Sequence, residues 1–199
     1  MTTIKSTAND ITNVEERSVE SSASAVEWAA IFAGGVAALG LTAILVTLGP
    51  GFGLAAVSPW SFKNPTPATF GTAAAIWLIV TQWLSSAFGG YLTGRLRKKW
   101  VGIRTDEVVF RDTAHGLLAW ALATLMMATL VTLASITTAG VAASVADTAS
   151  SAAPVTAEAT EQARKLGIAF AFTTSLSLLI GAFVAAAAGA LGGFHRDDA

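Results

Sequence analysis

The sequence has no cysteine. That excludes disulfides, thiolate nucleophiles and thiolate-held metals, and it leaves the redox compartment unassigned. Charge is scarce as well: Asp, Glu, Lys and Arg make up 13% of the residues, against about 25% in soluble domains. Formal net charge is -1 with a pI near 6.1, so no basic surface of the size that nucleic acid requires is present. In four stretches, 28–48, 70–93, 117–138 and 167–191, formal charge is absent altogether. Ionisable groups inside a membrane mark ion paths and proton relays. Their absence from the middle of these stretches argues against a proton- or sodium-coupled transporter.

Histidine is almost as rare. His115 and His195 are the only two, and a lone histidine supplies neither a tetrahedral metal site nor paired axial ligands. His115 is expected near a membrane interface, bonding backbone or a lipid headgroup. Asp106, Glu107 and Asp112 read as solvated loop carboxylates. No nucleophile–base pair stands out, and Gly49–Gly53 lacks the following Lys-Ser/Thr of a phosphate cradle. The expectation is a protein without catalytic residues, cofactor or metal.

Apolar length fills the space these absences leave. Hydrophobic residues form 53% of the chain and mean hydropathy is +0.61, as in a polytopic membrane protein. About 20 helical residues cross a hydrocarbon core of about 30 Å. The reading is an all-α membrane domain, residues 24–194, with four transmembrane helices near 28–48, 70–93, 113–138 and 167–191. Residues 1–23 are too polar to fold alone and read as a mobile cytoplasmic tail; residues 195–199 read as a second one. The first apolar run is too long for a signal-peptide core and acts as an uncleaved anchor.

Local signals set the boundaries. Ser24-Ala-Val-Glu27 fits a capping box, and Trp28 suits an interface. Gly49-Pro50-Gly51-Phe52-Gly53 is expected to break the first helix. The loop that follows, to about Pro67, carries Trp60, Phe62 and Lys63 and suits the outer interface, with room for a short re-entrant element. Residues 94–112 hold Arg95, Arg97, Lys98, Lys99, Arg104 and Arg111. By the positive-inside rule this loop is cytoplasmic, which places both termini inside. Arg95, Arg97, Lys98 and Lys99 also suit anionic lipid, at about 1 kcal/mol each near the surface. Thr105-Asp106-Glu107 reads as a helix start. The third loop is expected from Ala139 to about Arg164. Within it, Thr156–Lys165 after Pro154 form a helix that runs into the fourth span, with a weak Glu161–Lys165 pair.

Small residues recur every fourth position. Ala30, Gly34, Ala38 and Thr42 line one face of the first span; Ser86, Gly90 and Gly94 line the second; Gly181, Ala185, Gly189 and Gly193 line the fourth. Such faces allow close backbone approach in lipid. They serve either packing within one subunit or self-association. Gln82 is the most polar mid-span residue, and Thr173, Thr174 and Ser177 form a milder row. Each suits a hydrogen bond to a neighbouring helix or the lining of a pore. Leu45–Leu48 matches Leu130–Leu133, and Ala87, Phe88, Gly94 and Leu96 match Ala182, Phe183, Gly189 and Leu191. Two tandem two-helix hairpins in parallel repeat would produce this, as would chance in a sequence so rich in Ala, Leu and Gly.

Trp28-Ala-Ala-Ile-Phe-Ala-Gly34, Leu48-Gly-Pro-Gly-Phe-Gly53, Ala75-Ile-Trp77, Ser86-Ala-Phe-Gly-Gly-Tyr-Leu-Thr-Gly-Arg-Leu96 and His115-Gly-Leu-Leu-Ala-Trp-Ala121 occur in order. Together they resemble a group of small bacterial inner-membrane proteins often labelled "PhnA-like". The resemblance spans roughly residues 28–135 and implies a bacterial inner-membrane location without a defined activity. Pro50 stands where that group commonly has glycine.

The first functional reading is therefore a non-catalytic, helix-packing membrane protein, a homo-oligomer or an accessory subunit of a larger complex. The second is a passive oligomeric pore for a small solute. An enzyme or electron-transfer subunit has the least support in the residues.

Overall fold

A computed structural model describes residues 26–58, 60, 64–99, 104–146 and 157–198. They form four helices and no strand: α1 Trp28–Ala55, α2 Pro67–Leu96, α3 Thr105–Ala146 and α4 Ala157–Asp197. All four are long and apolar enough to cross a membrane. The fold is an all-α four-helix membrane bundle. The tail before Ser24, the capping box on Ser24, Phe62, Lys63 and the stretch 147–156 with Pro154 lie outside the described residues.

Several helix ends differ from expectation, each for a physical reason. Glu27 caps α1 without a side-chain hydrogen bond to its own helix; its carboxylate instead accepts the Lys98 N–H at 2.8 Å. Gly49–Gly53 does not break α1, which continues through Pro50 to Ala55. A proline inside a membrane helix is tolerated when neighbours repair the loosened ladder. Pro50 leaves the Val46 carbonyl without its helical donor. At the neighbouring carbonyl, that of Leu45, Trp77 of α2 donates its indole N–H at 2.9 Å and braces this stretch against α2. The glycines of this segment make room rather than turns. A Cβ on Gly49 would meet the Trp77 indole, and one on Gly53 the Phe70 ring. Phe52 meets Trp77 edge to face at 5.6 Å. Pro67 opens α2 at its first turn, where its missing N–H costs nothing, and the Thr66 hydroxyl accepts the Thr69 N–H.

α3 begins at Thr105 with Asp106 and Glu107 in its first turn, as expected, and runs on to Ala146. α4 runs from Ala157 to Asp197. The third connection is thus shorter than the Ala139–Arg164 loop foreseen, and His195–Asp197 are helix rather than tail. Glu161 lies 2.8 Å from Arg164 and 3.6 Å from Lys165.

α2 and α3 each touch the other three helices, whereas α1 and α4 do not meet. α2 and α4 both run toward the 97–104 connection and form the most extensive contact. The two small-residue ladders face each other there, inside the subunit. A Cβ on Gly90 would overlap the Ala185 carbonyl, and one on Gly94 the Gly189 carbonyl. Gly116 of α3 approaches the same Ala185 carbonyl, and Ala185 is fully buried. On the other side Gly34 of α1 packs against Gly89 and Thr93, while Ala38 meets Gly89. With little hydrophobic drive between helices in lipid, such contacts gain dispersion energy through close approach.

Candidate functional site

The buried polar groups gather at the end of the bundle that carries the basic loop, called here the basic end. Each ladder is followed three residues on by an arginine: Gly94 by Arg97, and Gly193 by Arg196. That spacing keeps both arginines on the packed face of their helices. Asp112, in the second turn of α3, stands between them. Arg97 Nε lies 2.7 Å from Asp112 Oδ1, with both side chains buried. Arg196 Nη1 and Nη2 reach the two oxygens of the same carboxylate at 3.2 and 3.3 Å. Gly193 leaves the space that the Asp112 carboxylate fills.

Arg196 is held from a second side by Asp197, at 2.9 and 3.0 Å. Two guanidiniums and two carboxylates thus form a balanced group, with Arg97 and Asp112 buried and Asp197 at its half-exposed edge. Burial pushes the Arg97 guanidinium below the ordinary arginine range, and the adjoining Asp112 carboxylate pulls it back.

Around this group the two parallel helices cap each other. Arg196 of α4 donates to the Gly94 carbonyl near the end of α2 at 3.1 Å. Arg95 of α2 donates to the His195 carbonyl, and Lys99 donates to the Asp197 carbonyl at 2.8 Å. The C-terminal carbonyls of a helix carry partial negative charge that cations satisfy.

His115 ties in α1. Its Nε2 accepts the Glu27 N–H at 2.9 Å, and its Nδ1 lies 2.6 Å from the Arg111 carbonyl. One nitrogen accepts and the other donates, so the ring is a neutral Nδ1–H imidazole. His115 is 2% exposed. It bonds backbone, one of the two roles foreseen for it, but from the interior. Among the described residues no three His, Asp or Glu side chains come together as a metal's ligand set.

The sites foreseen from sequence divide accordingly. Gly34, Ala38, Ser86, Gly90, Gly94, Gly181, Ala185 and Gly189 all lie in helix-to-helix contacts within the chain. Arg97, expected at the lipid surface, is instead buried on Asp112. Arg95 and Lys99 bond α4 carbonyls, which leaves Lys98 exposed at the surface. Thr173 lies exposed on α4, with Thr174 and Ser177 half-buried. Gln82 lines a cavity of about 50 Å³ between α1, α2 and α3, with Ser85, Ser86 and Trp120.

The sequence reading took Asp112 for a solvated loop carboxylate and Glu27 for part of a capping box, and gave Arg196 no role. Asp112 and His115, three residues apart on α3, offered a signal, as did the arginine placed one step beyond each ladder. Comparison with known protein families, curated proteins and solved structures finds no match to this chain.

Proposed function

We propose that this protein is a non-catalytic component of the bacterial inner membrane that works by lateral assembly with other membrane chains, as a homo-oligomer or as an accessory subunit. Membership of the group that the sequence resembles is part of this proposal, as are cytoplasmic termini, for which the basic 94–112 loop speaks. Anionic headgroups would meet that loop at Lys98 and on the outer faces of Arg95 and Lys99.

One observation carries the reading. Residues 160–173 of α4 are exposed throughout. The segment ends in a Thr173-Thr174-Ser175-Leu176-Ser177 row whose hydroxyls meet no hydrogen-bond partner among the described residues. Hydroxyls at membrane depth are commonly satisfied across helices, and a second helix would supply that contact. The ladders are already spent inside the subunit, so the assembly surface is assigned to this half of α4.

The absence of cysteine makes the test clean. Thr173→Cys introduces the chain's only thiol. In native membranes, oxidation is expected to give a cross-linked dimer or a cross-link to a partner, while Val36→Cys at the basic end gives neither. A monomeric mass in lipid nanodiscs with no Thr173→Cys cross-link refutes the proposal. The pore reading draws on Gln82 and the same hydroxyl row. A closed ring with a continuous polar lumen would favour it; a dry apolar axis would reject it.

A further inference from the structure

Several helix hydroxyls of this chain return to their own backbone, although that of Thr81 does not. Thr42, Thr93, Thr129 and Thr132 all donate to the carbonyl four residues back, at 2.7 to 2.8 Å. Around the cavity of about 50 Å³ this habit stops. Ser85, 3% exposed, has a hydroxyl with no hydrogen-bond partner, and the buried indole N–H of Trp120 has none either. Ser86, 5% exposed, and the half-buried Gln82 amide line the same cavity. Ser86 Oγ, Gln82 Nε2 and Trp120 Nε1 also border Gly181 of α4, at 3.0, 3.1 and 3.2 Å from where its Cβ would stand, so the absent side chain leaves these polar groups their room beside the cavity.

Buried polar groups without partners are costly, at about 1–3 kcal/mol each, and membrane interiors offer no bulk water to relieve them. Two such groups, Ser85 Oγ and Trp120 Nε1, beside one cavity point to an occupant. About 10–15 Å³ of such volume admits one water, so about three waters fit. Nothing charged lines the cavity, which excludes an ion on desolvation grounds.

We infer that the cavity is a hydrated site for a small uncharged hydrogen-bonding molecule, with water as its minimal occupant and a solute of about three heavy atoms as its largest. The site lies within one subunit and does not depend on the assembly reading. Its floor is closed toward the basic end by the Gly34–Gly89–Thr93 contact.

The test uses the full chain, ¹⁵N-labelled at tryptophan, in lipid nanodiscs. Trp120→Phe identifies the Trp120 indole signal by its loss. A magnetisation-transfer peak between that indole and water, unmoved by formamide, establishes a water site. A saturable shift with formamide that Gln82→Met abolishes establishes a solute site. No water peak and no formamide shift means a dry cavity and overturns the inference. If Trp120→Phe does not fold, an experimental structure near 2 Å resolution decides instead. Ordered density bonded to Ser86 Oγ or the Gln82 amide supports the site, and empty density overturns it.

Discussion

The two ends of this bundle obey different rules. At the basic end four helices meet through glycine and alanine, and every buried charge has an opposite charge or a carbonyl beside it. At the far end, among the described residues, the α1–α2 hairpin stays closed through Trp77, Phe52 and Phe70, while α3 and α4 carry exposed apolar residues such as Leu130, Leu133, Phe170 and Phe172. The difference lies in side-chain size. Where Gly90, Gly94, Gly116 and Gly189 stand, backbones approach each other; where Phe170, Phe172 and Leu176 stand, they do not. In lipid, apolarity alone does not draw helices together. A helix as apolar as α4 is therefore packed over one half and bare over the other.

The largest way to break the contrast is Asp112→Ala, which leaves Arg97 and Arg196 buried without their shared carboxylate. Removing one partner of a buried pair costs about 3–5 kcal/mol. Thermal unfolding in mild detergent is expected to show a collapse of cooperative melting or of expression. Next comes Gly90→Ala, whose methyl would overlap the Ala185 carbonyl; overpacking of this kind costs about 1–3 kcal/mol, read as a lower melting temperature. Trp77→Phe keeps a ring beside Gly49 and Phe52 but loses the bond to Leu45, with an expected loss of about 0.5–1.5 kcal/mol and faster amide exchange around Gly49.

At the far end the sign reverses. Gly167 has open space around it, so Gly167→Ala is expected to stabilise, by up to about 1 kcal/mol from helix propensity, again by melting temperature. A loss there would show that something already packs on that face. Smallest of all is Glu161→Ala. Its pairs with Arg164 and Lys165 are exposed and screened by solvent, so no resolvable change in melting is expected.

Much of this contrast was legible in the sequence. Four uncharged stretches gave the helices, and the ladders on α2 and α4 named the surfaces that meet. What stayed hidden was which surface each ladder would meet: a flat face reads the same whether its partner lies in the same chain or another. Asp112 resembled any loop carboxylate because its burial depends on α4 arriving from 84 residues away. Gly49–Gly53 resembled a turn because proline and glycine are local signals, whereas Trp77 bonding Leu45 is a long-range one. Arg97 read as a surface charge because the rule for basic loops weighs charge and ignores facing.

The exchange of basic side chains between the ends of α2 and α4 has a consequence for how the molecule is made. During synthesis α4 follows α1, α2 and α3, and until it arrives Asp112 lacks Arg196 and the Gly94 carbonyl lacks its donor. An insertion intermediate holding only α1, α2 and α3 therefore leaves the rim of its basic end unfinished. The arrival of α4 is the latch that closes that end.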